Sequence, residues 1–276
     1  MAVPLLELDG VSKRFGRVSV AEDLSLRVGP GDALGIGGPN GAGKTSLFGM
    51  ISGDLVPDSG EVRLDGRSVT GRDASVRCRL GIGRTYQVPR PFSGMTVFEN
   101  VLVAAQQGGG RTGRASHEAA ASALVDTGLI RDANRPAEQL GLLQRKRLEL
   151  ARAIATRPRL LLLDEVAGGL TDPEVAQLLT IVEAARADGA AIVWIEHVVR
   201  TLVAVVDRLV CLAGGRIVGD GDPATVLASP GVREVFLGTD ASAESLVAAG
   251  VGAAEAGGTA SGTSPGAGTG ITGSST

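Results

Sequence analysis

Three apolar runs, at residues 33–36, 160–163 and 190–195, are not broken by polar positions. Strands that alternate would have one wet face; strands without alternation are those buried on both faces of a parallel sheet. Shorter strand-like runs at residues 5–8, 24–28 and 61–64 are set off by Gly and Pro turns. Between these runs, helical patterns span residues 45–51, 96–106, 116–127, 145–156 and 173–187. A glycine-rich loop at residues 108–113 interrupts the helical middle. Strands alternating with helices predict an α/β fold around a parallel sheet. The helical stretch over about residues 89–157 reads as an insertion into it.

Composition changes abruptly after Gly238. Residues 239–276 are mostly Gly, Ala, Ser and Thr, with no Lys, Arg or aromatic residue. Such a segment buries too little apolar surface to offset its ordering entropy and is expected to be a disordered tail. The folded unit is therefore expected over residues 1–238. Of 276 residues, 27 are basic and 30 acidic, giving a net charge of -3. That balance argues against the broad positive field of non-specific nucleic-acid binding. Lysine occurs only at Lys13, Lys44 and Lys146, arginine supplying the rest. Cys78 and Cys211 form no metal-type spacing and are expected to be reduced thiols. The opening MAVPLLELDG lacks the order of a secretion signal, and no run approaches the roughly 20 apolar residues of a membrane helix. A soluble body is the expectation.

The sharpest chemical signal is GPNGAGKT, Gly38 to Thr45. It follows a buried strand and opens a helix, the context a phosphate-binding loop requires. Gly38, Gly41 and Gly43 let the backbone turn its N–H groups inward, with Pro39, Asn40 and Ala42 completing the loop. Lys44 is placed to reach the β- and γ-phosphates of ATP, Thr45 to ligate Mg²⁺, and Ser46 to extend the cradle along the helix N-terminus. The partner motif is RLLLLDEV, residues 159–166. It ends in two acids at the C-terminal edge of a strand, where parallel sheets bind ligands. Asp164 suits an Mg²⁺ shell, and Glu165 suits orienting or activating an attacking water.

Together these motifs resemble the ATP-binding subunit of an ABC transporter, over residues from about 5 to 238. The resemblance implies a P-loop NTPase with a mixed, mainly parallel sheet core, a small antiparallel β-subdomain and a helical subdomain. It further implies that Gln87, in GIGRTYQ, meets Mg²⁺ and the water and faces the membrane subunit. His197, ending WIEH, matches the switch histidine at the γ-phosphate, and Phe15, in SKRFG, matches the aromatic that stacks on adenine. RTYQVPRPFSGMTVFENVLVAA and GDPATVLASPGVREVFLG are similar to the branched-chain amino-acid uptake branch. Urea/amide and lipopolysaccharide-export ATPases share parts of these phrases. Partners implied are transmembrane permease subunits at the cytoplasmic face of the membrane, where the chain would sit peripherally.

Where the family carries its signature, Leu-Ser-Gly/Tyr-Gly-Gln, this chain has Leu140, Gly141, Leu142, Leu143 and Gln144. Gly141 still serves as a helix cap. The serine hydroxyl that would meet a partner's γ-phosphate is lost, a charge-assisted bond of roughly 1.5–3 kcal/mol. Leu143 replaces a glycine that permits close backbone approach. Val166 stands where the family has Pro, and Thr171 where it has Asp or Asn. Because each ATP site is shared between two subunits, the expectation is a heterodimer with one competent and one degenerate site. The alternative is a regulatory or assembly subunit that binds nucleotide and hydrolyses little.

Overall fold

The computed structural model describes residues 3–237; the tail expected over residues 239–276 lies outside them. The chain opens with a long antiparallel hairpin, β1 (Leu6–Phe15) and β2 (Val18–Val28), well beyond the short runs that the apolar pattern marks. Then come β3 (Ala33–Gly37), α1 (Lys44–Ser52), β4 (Ser59–Leu64), the short β5 (Arg67–Ser68), α2 (Ala74–Arg79) and β6 (Ile82–Arg84). The helical middle contains α3 (Val97–Val103), α4 (Gly113–Asp126) and α5 (Leu142–Ala155). The last third comprises β7 (Leu160–Asp164), α6 (Asp172–Ala187), β8 (Ala191–Ile195), α7 (Val199–Val203), β9 (Arg208–Ala213), β10 (Arg216–Gly221), α8 (Pro223–Ala228) and α9 (Pro230–Leu237).

The strands form two sheets. One is antiparallel, in the order β2-β1-β4-β5; the other is six-stranded, in the order β10-β9-β3-β8-β7-β6. In the second every neighbouring pair is parallel except β9 with β10. Strands β3, β7 and β8 are buried at every position, as their unbroken apolar runs require. One face of this sheet packs with α1 and the antiparallel sheet, the other with residues of α5 to α9. A third apolar cluster lies within the helical middle. That middle leaves the sheet after β6 and returns to it at β7, its spatial neighbour.

The single helix expected over residues 96–106 is two pieces: α3 ends at Val103 and a π-turn runs over Ala104–Gly108. The turn ends in a closely packed place. A β-carbon on Gly108 would lie 2.7 Å from Thr156 Cγ2 and 2.9 Å from Cys78 Sγ, so the backbone is pressed against its neighbours there. Helix α5 begins three residues before the expected start. Gly141 caps it with extended backbone, φ -70° and ψ 176°, and no side-chain cap. At the far end of α1, the fully buried Arg77 donates to the carbonyls of Met50 and Ile51. It thereby satisfies helix-end acceptors that would otherwise be orphaned.

Candidate nucleotide-binding and hydrolysis site

The parallel register sets the site. Ile36 pairs with Ile195, and Asp164 pairs with the same Ile195 from the other side. The loops leaving the C-terminal ends of β3, β7 and β8 therefore emerge side by side, the place where ligands bind in such sheets. β6 beside β7 brings Gln87 to the same edge. A cavity of about 290 Å³ there is bounded by residues 40–46, by Val20 of β2, and by Gln87, Glu165 and His197.

Gly38, Gly41 and Gly43 have φ of +136°, +79° and +102°. Two of them have no room for a side chain either: a β-carbon on Gly43 would lie 2.0 Å from the Val20 carbonyl oxygen, and on Gly38 2.2 Å from that of Leu212. Gly41 has open space around it. Gly43→Ala is therefore expected to abolish binding of a fluorescent ATP analogue. Gly41→Ala, which meets only the left-handed strain of roughly 1–2 kcal/mol, should weaken it by about 30-fold or less. Equal losses in the two variants would show that contact with Val20 is not what the loop requires.

Lys44 lies at the base of this loop, its Nζ 2.7 Å from the Gly38 carbonyl oxygen and 2.9 Å from that of Pro39. Burial lowers its pKa, while Glu165 and Asp164 pull it back up. The first turn of α1 holds no acidic residue and Gly43 offers no capping side chain. The positive helix end therefore faces the cavity with no acidic residue in its own first turn.

The acidic pair divides in two. Asp164 is buried beneath the cavity; its Oδ2 accepts from Arg84 at 3.2 Å, and its Oδ1 has no partner. Burial pushes its carboxyl up, and Arg84 opposes that. A buried oxygen left unsatisfied beside a threonine-bearing phosphate loop fits the donor set of a hard cation such as Mg²⁺. Glu165 reaches the cavity itself. Its Oε2 accepts from Gln87 Nε2 at 2.5 Å, and its Oε1 lies 2.6 Å from His197 Nε2. Its backbone is left-handed, φ +48°, a conformation costing about 1–3 kcal/mol for a residue with a side chain. Gln87 and His197, far apart in sequence, thus both meet the Glu165 carboxylate at the mouth of the phosphate loop.

Gly38 and Pro39 stand behind the cavity and not on its wall. Phe15 is not brought to it: it ends β1, half exposed, with Lys13 Nζ 5.7 Å from its ring centroid. At the signature position, Leu143 turns inward onto the core face of the large sheet, and Leu142 is the half-exposed residue, lying against Gly169. Thr171 caps α6, its N–H and hydroxyl both donating to Glu174 Oε2 at 2.8 Å. Val166 is buried in the core.

Three residues in or beside the site were missed by sequence reasoning. Arg84 links Ser52, Asp54 and Asp164, with Phe48 and Tyr86 rings within 6 Å of its guanidinium. Glu196, whose carboxyl burial pushes up, accepts from the Ala167 N–H at 2.8 Å and so holds the loop after Glu165. Lys146 crosses from α5 to the backbone of Gln87 and Glu165. A charged residue ending an apolar strand, and one lysine in an arginine-rich helix, were the available signals.

This is the architecture and site of an ATP-hydrolysing cassette, and the chain belongs to the ABC transporter family: the family model matches residues 21–168. It is an ABC-type P-loop ATPase. The chain is 34% identical over 253 residues to the high-affinity branched-chain amino acid transport ATP-binding protein BraF of Pseudomonas aeruginosa, covering 86% of this chain and 99% of that one. It is 34% identical over 254 residues to LivG of Escherichia coli, named for the same transport, at the same coverage. Among solved structures, a nucleotide-free ATP-binding cassette from an ABC transporter superposes with a TM-score of 0.78 at 28% identity, covering 86% of this chain and all of the other. The ADP conformation of an ATP-binding cassette matches with a TM-score of 0.77, also at 28% identity, covering 86% of this chain and 99% of that one. Among the described residues, no helix is long and apolar enough to cross a membrane.

Proposed function

We propose that this chain powers an importer of branched-chain amino acids, bound peripherally at the cytoplasmic face of the membrane to transmembrane permease subunits. The observation that carries the motor reading is the Glu165 carboxylate held between Gln87 and His197 at the mouth of the phosphate loop. Residues 38–46 bind the triphosphate, Lys44 the β- and γ-phosphates, and Phe15, exposed and outside the phosphate cavity, stacks on the adenine. Thr45, Gln87 and Asp164 would hold Mg²⁺, which would neutralise phosphate charge. Glu165 takes the proton from water as the water oxygen attacks the γ-phosphorus and the bond to the β–γ bridging oxygen breaks, ADP leaving with that oxygen, while His197 orients the γ-phosphate and fixes the carboxylate. The substrate class rests on the names of relatives matched along nearly their whole length.

The chain is one half of an unequal ATPase pair. It brings an intact loop, Asp164, Glu165 and His197 to one site, and a signature without serine to the other. Exposed Tyr86, Phe92 and Met95 beside a cavity of about 240 Å³ offer an apolar face for a permease segment, with Arg152 stacked on Phe92 at 5.2 Å. The test is reconstitution in vesicles with branched-chain permease subunits, a second ATPase with an intact signature, and the matching binding protein. ATP-dependent leucine uptake is expected, with loss of membrane association on Phe92→Asp. Failure to associate with such permeases, while nucleotide binding is normal, would overturn the substrate reading.

A further inference from the structure

Lys146 is almost wholly buried, one turn into α5, and its Nζ converges on two main-chain oxygens from different strand ends. It lies 2.9 Å from the Glu165 carbonyl and 3.2 Å from that of Gln87. Those are the two residues whose side chains bind each other at 2.5 Å. The Glu165 N–H is meanwhile tied to the Ile195 carbonyl at 2.9 Å, so both polar backbone groups of this residue are fixed. We propose that Lys146 is a positioning residue for hydrolysis: it pins the left-handed backbone of Glu165 and the backbone of Gln87 to the signature-bearing helix, and so sets where the Glu165 carboxylate points.

The choice of lysine supports this. Basic side chains in this chain are overwhelmingly arginine, and Lys146 is flanked by Arg145 and Arg147. A compact ammonium donates in three directions and can meet two carbonyls that do not share a plane, whereas a guanidinium offers a flat, rigid fork. A left-handed conformation at a residue with a side chain persists only when its surroundings over-determine it. The Glu165 carbonyl also accepts from the Gly168 N–H of its own loop at 3.3 Å, and Lys146, at 2.9 Å, ties it to the helical segment. Movement of α5 against the sheet therefore acts on Glu165 and Gln87 through one side chain. Satisfying two buried carbonyls would by itself explain a buried donor, and the two roles separate by experiment.

The experiment uses the full transporter complex and measures kcat, KM for ATP, fluorescent-nucleotide affinity and Tm for Lys146→Met, with and without Glu165→Gln. A misplacement of the carboxylate by about 1 Å predicts a fall in kcat of roughly 100-fold, with KM and nucleotide affinity within about twofold of wild type. In the Glu165→Gln background, single-turnover rates with and without Lys146→Met should coincide, because Lys146 acts through that carboxylate. Equal rate losses in both backgrounds, or a kcat for Lys146→Met at the wild-type level, would overturn the proposal. Should Lys146→Met not bind nucleotide at all, Lys146→Gln, which keeps a donor, gives the same reading through its kcat-to-KM split. The inference rests on Glu165 activating the water, and that reading fails separately, if Glu165→Gln alone turns over at the wild-type rate.

Discussion

Turnover by the assembled complex is expected to fall by about 10²- to 10⁴-fold when Glu165 becomes Gln, the range for loss of a general base, while ATP still binds. The geometry gives the reason. Gln keeps the shape of the side chain that sits between Gln87 Nε2 and His197 Nε2, so the cavity wall is preserved. An amide cannot take a proton from water. Its nitrogen also replaces one of the two oxygens that now meet these partners, so one contact loses its acceptor. Phosphate release and fluorescent-nucleotide binding, measured together, read the two effects separately. Retained ATP in a stalled complex supports a motor whose chemistry runs through Glu165. Near-zero rates in wild type and variant alike would favour the regulatory alternative, a subunit that binds ATP and hydrolyses little.

Rebuilding the signature is expected to change activity almost as much, in the opposite direction. Gly141→Ser with Leu143→Gly should raise ATP turnover of the purified chain without its partner by about 10- to 150-fold, the equivalent of a charge-assisted hydrogen bond of roughly 1.5–3 kcal/mol. Gly141 already has extended cap geometry that serine adopts readily. The nearest obstacle to its β-carbon is the Gln144 Oε1 atom at 2.9 Å, the movable end of a side chain. The second change has a cost: Leu143 packs on the core, and glycine inside a helix destabilises by about 1 kcal/mol. A lower Tm alongside faster phosphate release is the expected pair of results. Robust turnover by the unaltered chain alone, unchanged by these substitutions, would sink the unequal-pair reading.

Much of the site is legible without coordinates because its chemistry is encoded in short spacings. Gly38 to Thr45 declare a phosphate loop through residues next to one another in the chain, and Asp164 and Glu165 end a leucine run whose length and acidic end suit a buried strand. The runs that became β3, β7 and β8 were equally plain. Others were not: β9 and β10 pair only with each other and with β3, and nothing local in the Arg208–Ala213 stretch distinguishes a strand from a buried helical segment. The π-turn after α3 was invisible in the local pattern; it ends beside Thr156 and Cys78, residues distant in sequence.

The loop cradle, the acidic pair and the buried strands are legible along the chain, because each is a property of neighbouring residues. Tertiary structure alone decided how they work together. Sheet order brings Gln87 and His197 to the Glu165 carboxylate, burial leaves one oxygen of Asp164 unpartnered, and Lys146 reaches 59 and 19 residues away to hold two carbonyls. It also decided that Leu143 turns into the core while Leu142 faces outward. These facts depend on strand register and on packing between distant elements, and no local spacing encodes either.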